Sequence, residues 1–147
     1  MVGGPIYETD GSQVSEKDLR AWAQAAGIET QFGLVRFQDD IARVYRSLNV
    51  VVHASTQPEP FGRTIVEAMA SARPVVIANA GGAVELFQHG ENGVGFMPTS
   101  ASSLSDSMAS LLDEGTRTRL GIAARRHAAT YFGSGRLPAE LLAVYRL

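Results

Sequence analysis

The sequence predicts an α/β fold: a parallel sheet of about four to five strands with helices on both faces. Three observations predict it. Helical and strand-like segments alternate along the chain, the order expected of parallel strands joined by crossover helices. The stretch NVVVHAS (49–55) is rich in β-branched residues and free of charge, as suits a strand buried on both faces. Between it and the strand-like RPVVIANA (73–80), the segment GRTIVEAMASA (62–72) reads as a helix.

The elements follow in order. SEKDLRAWAQAAG (15–27) is a helix with Ser15 as its cap and Asp18 in the capping-box position. Leu19, Trp22, Ala23 and Ala26 form its apolar stripe and Gly27 stops it. IETQFGLV (28–35) reads as a short strand around Gln31 and Phe32. Asp39 and Asp40 favour the start of a second helix through its dipole; Ile41, Val44, Tyr45 and Leu48 make its stripe, and Asn49 can end it. In RPVVIANA, Pro74 sits only at the strand entry. GGAVELFQHGENG (81–93) reads as a turn, one helical turn and another turn, followed by a strand in VGFMP (94–98). Leu104, Met108, Leu111 and Leu112 mark the next helix, and Thr116 can cap another reaching about Tyr131. Pro138 suits the first turn of a last helix over 137–147, and Met1 and Val2 are a possible fifth strand.

A chain of 147 residues is the size of one ordinary domain, and no linker divides it. Hydrophobic residues are 45% of the chain, enough for a packed core. A formal net charge of −2 with no basic run argues against a nucleic-acid partner. The absence of cysteine excludes disulfides and thiolate metal sites, and His53, His89 and His127 lack metal-ligand spacing. No apolar run is long enough for a transmembrane segment and the first residues do not form a signal peptide, so a cytoplasmic domain is expected.

In a parallel sheet the ligand lies beyond the carboxyl ends of the strands. The loops expected there are 3–10, 33–39, 54–62 and 78–83, and the third holds Glu59. After it a helix opens at Gly62. Its first amides have no intrahelical partner and carry partial positive charge, which makes an anion site, and glycine permits close approach. Glu67 falls inside that helix beside Arg63, where a carboxylate can accept two hydroxyls such as those of a ribose. Glu59 can accept a hydroxyl from whatever lies beyond the phosphates. A nucleoside diphosphate carrying a sugar fits all three features. An i,i+4 pair of Arg63 and Glu67 on the surface, with Glu59 in a solvated loop, fits the spacing equally well.

The segment PEPFGRTIVEAMA followed by RPVVIANAGGAVELFQHGENGVGF resembles the donor-binding domain of retaining GT-B glycosyltransferases, glycosyltransferase family 4 (the "group 1" family). The resemblance rests on the E-x7-E pair Glu59 and Glu67, the run Glu67-Ala68-Met69-Ala70, and the strand Pro74-Val75-Val76. It continues in the turns Gly81-Gly82-Ala83-Val84-Glu85 and Gly90-Glu91-Asn92-Gly93. Upstream, YRSLNVVVHAST is similar to the family's Y-x-x-A-D strand entry, with Leu48-Asn49 in place of Ala-Asp. The resemblance implies a Rossmann-like, partial GT-B C-terminal domain. It implies that Glu59 contacts the donor sugar and is the catalytic candidate, while Glu67 binds ribose. Backbone amides of Phe61, Gly62, Arg63, Thr64 and Ile65 would hold the sugar and diphosphate, and Val35 and Arg36, in QFGLVR, would lie near the base. No metal or other cofactor is expected, because protein groups stabilise the leaving diphosphate.

The family's acceptor-binding domain and the Arg and Lys that open its donor domain have no counterpart in the sequence. Lys17 is the only lysine, and it falls on an amphipathic helix. The expected partners are a nucleotide-sugar donor and a missing N-terminal acceptor domain or companion subunit, with a homo-oligomer possible through the last helix, whose apolar positions are Leu141, Leu142, Val144 and Tyr145. The chain is then the sugar-nucleotide-binding part of a hexosyltransferase, inactive alone. The alternative is a non-catalytic nucleotide-binding or protein-interaction remnant of the fold; a third reading is a flavodoxin-like regulatory domain with Asp39 or Asp40 as phosphoacceptor. No residue stands out as a general base or nucleophile. His53 reads as a packed strand-end histidine, Trp22 and Tyr45 as core, and Gly81-Gly82 as a sharp turn.

Overall fold

The computed structural model describes residues 1–3 and 14–145. Most of the predicted 3–10 loop, and the last two residues of the predicted final helix, lie outside the described residues. The chain divides into two compact units, Met1–Ile41 and Ala42–Leu147.

In the first unit, helix α1 (Glu16–Ala25) is punctuated as the sequence indicates. The Ser15 hydroxyl oxygen accepts the Asp18 amide at 3.1 Å. At the other end Gly27 adopts φ +69, and the amides of Gly27 and Ile28 close back on the carbonyls of Gln24 and Ala23. Trp22 departs from expectation: it is 60% exposed rather than core, and of the stripe only Ala23 is buried. The strand expected around Gln31 and Phe32 is a turn, in which the Gln31 amide binds the Ile28 carbonyl at 2.9 Å. Extended pairing is displaced to Val35, which forms a single parallel bridge with Val2. One bridge is too little for a strand. The described sheet therefore has three strands rather than four to five.

The second unit begins within helix α2 (Ile41–Ser47) and alternates β1 (Val51–His53), α3 (Arg63–Ala70), β2 (Val75–Ala78), a 3-10 turn at Gly82–Glu85, and β3 (Val94–Phe96). Helices α4 (Ala101–Ala109), α5 (Glu114–Phe132) and α6 (Leu137–Tyr145) complete it. The sheet is parallel, in the order β1-β2-β3, with Val51 opposite Val75 and Val76 opposite Val94. β2, flanked on both sides, is buried at every position. β1 lies at an edge of this ladder and Val52 is 40% exposed, so burial on both faces belongs to β2 and not to β1.

Alternation along β2 sends side chains into two cores. Val75 and Ile77 pack with Ile65, Ala68 and Met69 of α3, whereas Val76 and Ala78 pack with Val94, Phe96, Leu111 and the half-buried Leu104. Helix α5 serves both, placing Ala124 and Ala128 in the first and Leu120 in the second. Glycine at position 121 permits this, since a Cβ there would run into the backbone carbonyl of Ala72. Each fully buried Ile65, Met69, Ile77 or Leu120 contributes about 1.5–3 kcal/mol.

Two details of the α4–α5 reading change. Met108 and Leu112 are 47% and 80% exposed, leaving Leu111 as the anchor of that stretch. The cap of α5 is Asp113, not Thr116. The Asp113 carboxylate accepts the Thr116 amide at 2.7 Å, which lowers its pKa from the usual 3.8.

Candidate functional site

β1 ends at His53, and the chain runs through Pro58-Glu59-Pro60-Phe61 to Gly62, where α3 begins. Gly62 takes φ 92 and ψ 58, a left-handed conformation that favours glycine, and no side chain caps the helix. A Cβ at Gly62 would come within 2.7 Å of Ile65 Cδ1 and 3.4 Å of Glu59 Cγ. The opening of α3 is thus held by the fully buried Ile65, whose amide, expected among the free donors of the site, instead closes on the Gly62 carbonyl at 3.0 Å. Arg63 and Thr64 are exposed, and Phe61 is half-exposed with its ring edge-on to Phe132, centroids 6.0 Å apart.

The loop after β2 meets the loop after β1. Glu59 bridges Gly81 in parallel, and the Gly82 amide binds the Glu59 carbonyl at 2.7 Å. The two glycines therefore do more than turn the chain. A Cβ at Gly81 would lie 2.5 Å from the Glu59 carbonyl oxygen, and one at Gly82 would overlap Pro60. Two of the loops expected at the carboxyl ends of the strands are thus joined, and Glu59 sits at the joint.

Each carboxylate of the acidic pair has a side-chain partner. Glu67 Oε2 accepts the Tyr45 hydroxyl at 3.2 Å, and its Oε1 lies 3.6 Å from Arg63 Nη2. The Arg63 side chain is 85% exposed, so that ion pair contributes little. The Tyr45 phenol is pushed up to about 12, first by burial, then by the charge of Glu67 and the hydrogen bond to it. Glu59 Oε2 lies 3.5 Å from His53 Nε2, and His53 Nδ1 is buried without a hydrogen-bond partner.

These two partners went unread in the sequence. Tyr45 is buried as expected, but its hydroxyl also reaches Glu67, 22 residues on, which no spacing rule reveals. His53 had one legible signal, its place at the carboxyl end of a strand. Val35 and Arg36 belong to the first unit, where they line an open cleft of about 570 Å³ together with Val14, Leu19, Arg20 and Phe37. Among the described residues, no three His, Asp or Glu side chains are gathered as a metal site, and no helix is long and apolar enough to cross a membrane.

A parallel sheet flanked by helices, with a glycine-opened helix and an acidic pair beyond its carboxyl ends, defines a Rossmann-like α/β domain of the kind found in GT-B glycosyltransferases. The chain belongs to the family described as glycosyl transferases group 1, whose model matches residues 2–127. It is 33% identical over 137 residues to a D-inositol 3-phosphate glycosyltransferase of Corynebacterium glutamicum, covering 89% of this chain and 31% of that protein. It is 35% identical over 108 residues to spore coat protein SA of Bacillus subtilis, covering 72% of this chain and 29% of that one. The chain thus spans about a third of the length of these curated relatives. Among solved structures, Anabaena HepE in complex with UDP superposes with a TM-score of 0.86 at 31% identity, over 99% of this chain and 39% of that one. The same protein with UDP-glucose gives 0.85 at 32% identity, with the same coverage.

Proposed function

We propose that this chain is the donor-binding part of a retaining, family 4 glycosyltransferase that transfers a hexose-type sugar from a nucleoside diphosphate. One observation carries the reading: Glu59 and Glu67 bracket the uncapped amino end of α3, beyond the carboxyl end of β1. The amides from Phe61 to Thr64 bind the diphosphate, where the helix dipole favours negative charge, whereas the Ile65 amide is already bonded to the Gly62 carbonyl at 3.0 Å. Glu67 accepts the ribose hydroxyls. Glu59 accepts a hydroxyl of the sugar and orients it for transfer. No metal is required, since amide donors and the dipole stabilise the leaving diphosphate. Transfer needs a second, acceptor-binding domain or subunit, and the setting is cytoplasmic. That relatives include a structure with UDP-glucose supports this choice of ligand class.

Calorimetry with UDP, GDP, ADP and their sugar conjugates, beside a Glu67→Ala variant, tests the reading. Micromolar to millimolar binding of one nucleotide, lost in the variant, is expected. Absence of binding by all of them, or equal binding by the folded variant, refutes it.

A further inference from the structure

The two acidic side chains of the site do not stand alone. Each is met by a largely buried group from the α2–β1 segment that precedes the loop. Tyr45, on α2, is 5% exposed, and its hydroxyl donates a hydrogen bond to Glu67 Oε2 at 3.2 Å. The His53 side chain, at the end of β1, is 12% exposed, and its Nε2 stands 3.5 Å from Glu59 Oε2.

We propose that Tyr45 and His53 are positioning residues, each occupying one oxygen of its carboxylate so that the other faces the hydroxyls of a bound nucleoside-diphosphate sugar. This rests on the donor reading above.

The argument is one of geometry and valence. A glutamate side chain has three rotatable bonds, and fixing it on ligand binding costs entropy. A partner that holds it beforehand removes that cost from the binding step. An ionised carboxylate only accepts hydrogen bonds and has about four lone-pair directions. With Oε2 of Glu67 taken by a phenol, its Oε1 side remains for a ribose, and the exposed Arg63 near that oxygen is free to swing away. The phenol stays protonated through the physiological range, because burial and the neighbouring charge push it up to about 12.

The His53 side chain meets Glu59 through Nε2, while its Nδ1 is buried without a hydrogen-bond partner. Facing an acceptor, Nε2 must carry the proton, since a lone pair there would repel the carboxylate. The histidine therefore presents its Nε2 end to Glu59, at 3.5 Å. The Glu59 backbone is pinned separately by the Gly82 amide, so His53 acts on the carboxylate and not on the loop path.

The division of labour predicts separable defects. Tyr45→Phe, His53→Leu and His53→Gln would be compared with wild type by calorimetry, using UDP, 2′-deoxy-UDP and UDP-glucose, with the guanosine and adenosine series alongside. Thermal melts confirm that each variant is folded. Tyr45→Phe should weaken the ribonucleoside diphosphate roughly three- to tenfold, the loss of one hydrogen bond. The 2′-deoxy ligand should change little, so that discrimination between the two shrinks. His53→Leu should leave the diphosphate unchanged and weaken its sugar conjugate by a similar factor. His53→Gln, which keeps a donor at the position of Nε2, should restore the conjugate.

Folded variants that keep the wild-type ratios between ligands overturn the proposal while leaving the donor reading intact. So does a uniform weakening of all ligands, including the deoxy form, which marks a merely structural role. If wild type binds none of the series, the donor reading itself fails, and this proposal fails with it.

Discussion

Gly81→Ala is the sharpest test of how the site is built. Gly81 has φ 63 and ψ −151, a region essentially reserved for glycine, so alanine there costs roughly 1–3 kcal/mol of backbone strain. The new methyl would sit 2.5 Å from the Glu59 carbonyl oxygen and 2.8 Å from the Glu59 nitrogen. These are backbone atoms and cannot swing aside, which adds about 1–3 kcal/mol of overpacking. The sum, about 2–6 kcal/mol, is a large share of a typical domain's stability. At about 2–4 °C per kcal/mol for a chain of this size, the melting temperature should fall by roughly 4–24 °C. Gly90→Ala is the control. It lies in the same unit at φ +78, but its Cβ would meet nothing within 4 Å, so only about 1 kcal/mol of strain is expected. The assay is thermal unfolding of both variants by circular dichroism, beside UDP-glucose calorimetry. If Gly81→Ala melts within about 1 °C of Gly90→Ala, the joint between the two loops is not what holds Glu59, and the steric argument is wrong.

Other outcomes follow from the same structure. Absorbance titration should show a late-ionising tyrosine phase that Tyr45→Phe removes. Because the folded value of Tyr45 is raised, its contribution to stability is complete below pH 10 and is lost as pH rises toward about 12; urea melts across that window should show the loss in wild type but not in Tyr45→Phe. Leu120→Ala, at a side chain 1% exposed in the second core, should cost about 2–5 kcal/mol in chemical denaturation; a loss below about 1 kcal/mol would mean that α5 does not seal that face. Asp113→Ala should destabilise the chain at neutral pH. Since the Asp113 pKa is lowered in the fold, that difference should fade as pH drops below the usual 3.8 and through the lower folded value; a pH-independent difference would contradict its role as a charged cap.

The parts of this protein that could be read from its sequence are those governed by neighbours in the chain. Ser15 and Gly27 bound α1 because capping bonds span only a few residues. The charge-free β-branched runs became β1 and β2, and the turn through 81–85 took its short helical form. The acidic residues at 59 and 67 fell on a loop and the helix after it because a glycine stands between them in a left-handed conformation at the helix start. Where the fold departed from expectation, burial was at stake, and burial depends on what packs across the chain. Trp22 reads as core on a helical stripe yet stands exposed, and Val52 reads as interior yet lies on a strand at the edge of the ladder. The partners of the acidic pair were invisible for the same reason. Tyr45 reaches Glu67 because α2 and α3 share the first core, and Gly81 reaches Glu59 because parallel strands bring successive loops to one end of the sheet. Local hydrogen bonding places a residue on its element; which group faces it is fixed only when the elements pack.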